Sequence, residues 1–216
     1  ALCNYAQPPS CQPEHLLPMA EALLGRLHAL AFATGGSRSI AVAPHALTAS
    51  GSMASSLKEN FLPFYDHFAP AALACVVQRD LRDAGARQRH GKACEALALY
   101  GQAVGYDRFS ADALQALSAL EPLLMSTENG SDDHQHESYM LTAVSRMGAT
   151  LGEAFAPYLG LVGRPAVLAA GQAPDVRMAT SAEEFAGQAG FAIVSAGSGG
   201  GDDGGVGKAQ LEHGYS

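Results

Sequence analysis

Three stretches of this 216-residue chain carry side chains whose types and spacing could do chemistry. The first is "DDHQHE", residues 132 to 137, which sets His134 and His136 beside Asp132, Asp133 and Glu137. A His-x-His pair can bind a transition metal, but helix-borne ligands stand three or four apart and no cysteine is near. The stretch reads as a solvated polar linker. The second is "GSGGGDDGGVGK", where Gly207-Lys208 suggests a phosphate loop. Such a loop needs serine or threonine after the lysine and glycine five places before Gly207. Ala209 and Asp202 stand there instead, and an aspartate pair repels phosphate. The third is the basic run Arg79, Arg82, Arg87, Arg89 and Lys92. A nucleic-acid site wants aromatic platforms or a longer basic stripe, so this run reads as a solvated turn. No G-x-S-x-G elbow and no acid/base carboxylate couple is present. The chain is therefore expected to be no enzyme and to need no cofactor or metal.

The elements that carry these residues are helical. The apolar fraction of 48% comes from alanine and leucine, with only 7% aromatic residues and no tryptophan, which favours helix over sheet. The net charge of −8 lies in the second half: residues 109 to 216 hold 13 acidic and 4 basic residues, against 8 and 9 before them. An acidic surface disfavours nucleic acid and anionic membrane and favours basic protein partners. No apolar run approaches the roughly 18 residues of a membrane helix. The opening "ALCNYAQPPS" has no signal-peptide pattern. Cys3, Cys11, Cys75 and Cys94 have no metal-type spacing and read as reduced thiols. Beginning within a helical pattern, the chain reads as a piece of something longer.

The pattern repeats. "LLPMAEALLGRL" begins at Leu16, "FLPFYDHFAPAAL" at Phe61, "FSADALQALSAL" at Phe109 and "FAPYLGLVGRPAVL" at Phe155, spaced 45, 48 and 46 residues apart. Three of the four carry proline two places on, at Pro18, Pro63 and Pro157; the third has Asp112 at its helix start. Helical stripes precede two of the corners, Ala93-Leu97-Tyr100-Val104 and Met140-Val144-Met147-Leu151. Gly105 and Gly152 then offer left-handed C-caps. Each unit thus reads as two antiparallel helices. A large apolar residue (Phe61, Phe109, Phe155) plugs the corner, and proline opens the second helix.

The period predicts an all-α solenoid of the HEAT and armadillo type, about four stacked helical pairs with no sheet. It covers residues 1–178, in units near 1–32, 45–79, 89–126 and 136–172. The second helices read as 14–31, 62–79, 110–125 and 156–171, and the interval 34–50 reads poorly as helix. "STENGSDDHQH", 126 to 136, is an acidic connector. Residues 179–216 form an acidic glycine- and aspartate-rich tail that cannot bury enough apolar surface and is expected to be disordered.

Three segments, "SLKENFLPFYDHFAP", "RHGKACEALALYGQAVGYDRF" and "ESYMLTAVSRMGATLGEAFAPYL", resemble in order and separation the central repeats of the karyopherin-β nuclear transport receptors, on the importin-5-like branch. The resemblance covers roughly residues 1–185. It implies a superhelical import receptor whose second helices line a concave face gripping lysine-rich localisation signals. It also implies cargo release by RanGTP and shuttling between cytoplasm and nucleus. The amino-terminal repeats that make the family's main Ran contacts have no counterpart here. The alternative is a HEAT scaffold or regulatory subunit of another complex. No family motif fixes a cargo contact, so the candidates are carboxylates on the second helices: Glu14, Glu21, Asp66, Asp112 and Glu121.

Overall fold

The structure, a computed structural model, describes residues 13–33, 37–126, 134–163, 194–195 and 210–211. Two units separate by contact, Ala1–Gly171 and Gln172–Ser216. The first is built of helices: α1 (Pro13–Ala31), α2 (Ser37–Leu57), α3 (Leu62–Val76), α4 (Ala84–Val104), α5 (Tyr106–Ser126) and α6 (His134–Leu151). A 3₁₀ turn, Lys58–Phe61, joins α2 to α3, and a second, Gly152–Tyr158, follows α6. Residues 159–163 continue as helix. The chain forms a helical-repeat solenoid: α2 with α3, α4 with α5, and α6 with 152–163, preceded by α1. The first helices α2, α4 and α6 pack side by side, while α1 lies on α2, and α3 packs on α4 and α5. In the second unit, β1 (Val194–Ser195) pairs antiparallel with β2 (Gln210–Leu211), while the first unit is all-α as its period predicts. The expected disorder of the tail otherwise falls outside the described residues.

The corners follow from local chemistry. Gly105 is the whole connector between α4 and α5, at φ 81°, and Gly152 stands at φ 56° after α6. Glycine takes this left-handed backbone without a Cβ penalty. At the α2–α3 corner the equivalent backbone, φ 52°, is held by Lys58. Phe61 and Phe109 are fully buried, and Phe155 is 6% exposed. Pro63 sits in the first turn of α3, where its missing N–H is harmless. Pro18 lies inside α1 and Pro157 inside the second 3₁₀ turn, both exposed.

Two boundaries differ from the sequence reading. The α5 helix starts at Tyr106 rather than near Ser110, because Gly105 alone reverses the chain and accepts from Phe109 N–H at 3.2 Å. Phe109 therefore plugs the corner from within the first turn of its helix. The interval 34–50 is also not irregular: α2 runs from Ser37 through Pro44 to Leu57. Its hydroxyls turn back onto the helix's own carbonyls, Thr48 to Pro44 at 3.0 Å and Ser52 to Thr48 at 3.1 Å. Buried alanines and leucine, Ala43, Ala46 and Leu47, give it a packed face. Tertiary burial outweighs the poor local propensity of its serines and proline.

The core is one apolar cluster running through all the helices of the first unit. At its centre Phe61 stacks on Tyr100 at 5.2 Å, and Phe68 meets the same ring edge-on at 5.5 Å. The Tyr100 hydroxyl is satisfied by Ser50 at 2.6 Å, which in turn donates to the Leu47 carbonyl. A polar atom in the core is thus paired across two repeats, as burial requires.

Candidate functional site

The second helices carry the candidate carboxylates, and the repeat period decides which of them meet. Asp66 and Asp112 are brought together on α3 and α5. The Tyr65 hydroxyl donates to Asp112 Oδ2 at 2.6 Å. Beside it Arg108 pairs with Asp66 and lies over the Tyr65 ring, 5.1 Å from its centroid. Tyr65 is buried, and burial together with the Asp112 carboxylate pushes its phenol far above the ordinary range, so it serves as a donor. The Asp66 carboxylate remains 66% exposed and the Arg108 side chain 48%. One carboxylate, Asp66, and an aromatic face therefore already hold one cation at the surface, with the Asp112 carboxylate bound to the Tyr65 hydroxyl beside them.

Glu21 is exposed on α1 and Glu121 on α5, and neither joins an ion pair among the described residues. The Glu14 side chain lies outside the described residues. Polar contacts continue along the same helices on either side. His28 Nε2 meets the His67 carbonyl at 3.1 Å, and Ser118 meets the Tyr158 hydroxyl at 3.3 Å. Tyr65 and Arg108 escaped the sequence reading. Their partners lie 47 and 42 residues away, close to one repeat, and this spacing is the feature that could have revealed them.

The basic run holds the turn between repeats. Arg79 donates to the Ala119 carbonyl at 3.3 Å, and Arg87 to those of Leu81 and Arg82 at 3.1 and 2.9 Å. Asp83 caps α4 by accepting from Ala86 N–H at 2.8 Å. Lys92 pairs with Glu95 at 2.8 Å and lies 4.0 Å from the Tyr139 ring centroid. Of the His-x-His motif, His136 is buried against His90, and the His134 side chain lies outside the described residues. Among the described residues no group of three histidine, cysteine or acidic side chains could hold a metal ion, and no helix is long and apolar enough to cross a membrane.

Hinged pairs of antiparallel helices at a period near 46 residues, sharing one continuous core, define an α-solenoid of the HEAT class. No family model matches the chain. It is 27% identical over 148 residues to a probable importin-5 homolog of Dictyostelium discoideum, covering 68% of this chain and 13% of that one. It is 28% identical over 176 residues to importin subunit beta-3 of Saccharomyces cerevisiae, covering 82% and 15%. A crystal structure of Kap121p bound to Pho4p superposes with a TM-score of 0.70 at 25% identity, over 92% of this chain and 18% of that one. Kap121p alone gives 0.66 at 27%, over 86% and 16%. The chain is a helical-repeat solenoid similar in sequence to importin-5 and importin subunit beta-3 and in fold to the karyopherin Kap121p. It spans 13% and 15% of the length of these two curated relatives.

Proposed function

We propose that the second-helix face of this chain binds protein cargo for nuclear import, taking lysine-rich localisation signals as part of a receptor that shuttles between cytoplasm and nucleus. One observation carries the reading: Asp66 and the Tyr65 ring hold a cation, Arg108, at the surface, and Asp112 holds the Tyr65 hydroxyl beside them. A lysine of an extended peptide offers the same charge to the same groups, and Glu21 and Glu121 lie exposed on the helices that carry the face onward. The likeness to Kap121p, solved with Pho4p, Nup53p and Ulp1p, supports a protein partner. RanGTP acts on the full-length receptors of this family, and this 216-residue chain by itself is expected to bind it weakly, for want of a multivalent grip.

The test is a titration of the chain with a fluorescent lysine-rich peptide and with the same peptide carrying alanine for lysine. Binding should weaken with salt, because exposed charges are screened beyond about 8 Å at physiological strength. Asp66→Asn with Asp112→Asn should lower the affinity severalfold, and Asp202→Asn with Asp203→Asn should not. Equal binding of the two peptides sinks the proposal, and RanGTP binding tighter than peptide would mean a primary Ran site in these repeats.

A further inference from the structure

His90 on α4 is 2% exposed and His136 on α6 is 9% exposed, and they touch in the core between two first helices. His90 Nε2 lies 3.0 Å from the Val76 carbonyl at the end of α3. Its other nitrogen, Nδ1, lies 3.0 Å from His136 Nε2 and 3.6 Å from Cys94 Sγ. The carbonyl can only accept, so Nε2 carries the His90 proton. Nδ1 is then the lone pair that receives the His136 N–H and the Cys94 thiol. One neutral ring therefore joins three successive repeats: α3 of one, α4 of the next and α6 of the third. His136 also lines a cleft between the first turns of α4 and α6, with Gln88, Gln135 and Tyr139, which gives water a path to the pair.

We propose that His90 and His136 form a proton-operated latch, closed when both rings are neutral and opened when His90 is protonated, which sets how firmly the third and fourth repeats stack. A proton on Nδ1 would face two donors in place of the lone pair they use. Even with His136 re-tautomerised to accept, a charge would lie buried. Among the described residues, the charged groups that act on His90 add no negative charge. Arg79 on the connector adds a positive charge, as would a protonated His136. Cys94 and Cys75 are held as neutral thiols by burial, with Arg89 beside Cys75. Burial, then the His136 charge, accordingly push the His90 ring down to about 4.

The sign follows from proton binding. An opened joint exposes His90 with an ordinary value near 6.5, so the open state takes up a proton that the closed state refuses. The latch is fully effective above that value and weakens as pH falls from about 6.5 towards 4. Between pH 7 and 5 the opening equilibrium should rise about twentyfold.

The experiment is amide hydrogen exchange of the full chain at pH 7 and pH 5, corrected for intrinsic exchange, with side-chain nitrogen spectra of the histidines. Amides of α6 should lose protection about twentyfold relative to those of α2, and His90 should appear as the Nε2–H tautomer down to pH 5. His90→Gln keeps a donor for Val76 and an acceptor for His136 without titrating, and should abolish the pH effect. An Nδ1–H tautomer, titration of His90 near 6.5, or equal pH response in His90→Gln overturns the proposal. Should that variant not fold, the tautomer and titration of the parent decide alone.

Discussion

The tightest contact at any corner is between Gly101 on α4 and the ring of Phe109 on α5. A methyl group built on Gly101 would fall within the van der Waals envelope of that ring, which is itself fully buried. Gly101→Ala therefore sets two effects against each other. Alanine in place of glycine in a helix interior favours the fold by about 1 kcal/mol. Forcing a methyl into a filled core costs about 1–3 kcal/mol or more, and here the ring has nowhere to turn. Overlap should win, with a net loss of about 2 kcal/mol. Phe109→Ala alone should cost about 3–5 kcal/mol. In that background the added methyl enters space the ring has left, so Gly101→Ala should become stabilising by about 1 kcal/mol. The sign change, a coupling of about 3 kcal/mol, is the diagnostic result. Urea unfolding followed by far-UV circular dichroism, with all four proteins compared at matched slopes, measures it. The same loss from Gly101→Ala in both backgrounds, or a gain in the parent, would refute the packing argument. A methyl group built on Gly148 would lie 3.0 Å from the Phe155 ring, a looser fit, so Gly148→Ala should cost less than Gly101→Ala.

Phe61→Ala removes a fully buried ring stacked on Tyr100 and should cost about 3–5 kcal/mol; urea midpoints coincident with the parent would show that Phe61 does not plug its corner. Lys58→Gly relieves a left-handed backbone that costs a non-glycine residue about 1–2 kcal/mol, less the entropy glycine adds to the unfolded chain, and should raise stability by about 0.5–1 kcal/mol. A fall in the thermal midpoint would contradict that. Tyr65→Phe deprives Asp112 of its donor and should cost about 1–2 kcal/mol by chemical denaturation, with no effect if water replaces the hydroxyl. Arg108→Ala vacates Asp66 and the Tyr65 ring, so the lysine-rich peptide should bind more tightly; weaker binding would mean that Arg108 shapes the site instead of occupying it.

The helical repeat was legible because its corners use residues with narrow conformational roles. Gly152 after a stripe of Met140, Val144, Met147 and Leu151, then Phe155, has few readings other than a stop, a turn and a plug. The reading failed where one residue did the work of several. Gly105 makes a complete connector, so the start of α5 carries no proline and local signals put its helix later. It failed again at α2, where Pro44 and a run of serines describe a loop by local propensity. Those residues are helical because Ala43, Ala46, Leu47 and Met53 bury a continuous face, and hydroxyls such as Thr48 bond back to the helix. Packing of that kind has no local marker.

The carboxylates were legible as residues but not as a site, because charge along a chain says nothing about which charges are already engaged. Asp66 and Asp112 look alike in sequence. In the structure one holds an exposed guanidinium and the other a buried phenol, and only the first can exchange its partner without exposing a buried group. The missing information is the alignment of one repeat on the next, and it is recoverable in principle. The pairs Ser50–Tyr100, Tyr65–Asp112, Arg79–Ala119, His90–His136 and Ser118–Tyr158 are separated by 40 to 50 residues. In a solenoid, neighbours in space are one period apart, so a polar residue should be weighed against what lies one repeat away rather than what lies three or four residues away. By that rule Asp66 faces Arg108, and the candidate carboxylates resolve into those already engaged, Asp66 and Asp112, and others, such as Glu21 and Glu121, that join no ion pair among the described residues.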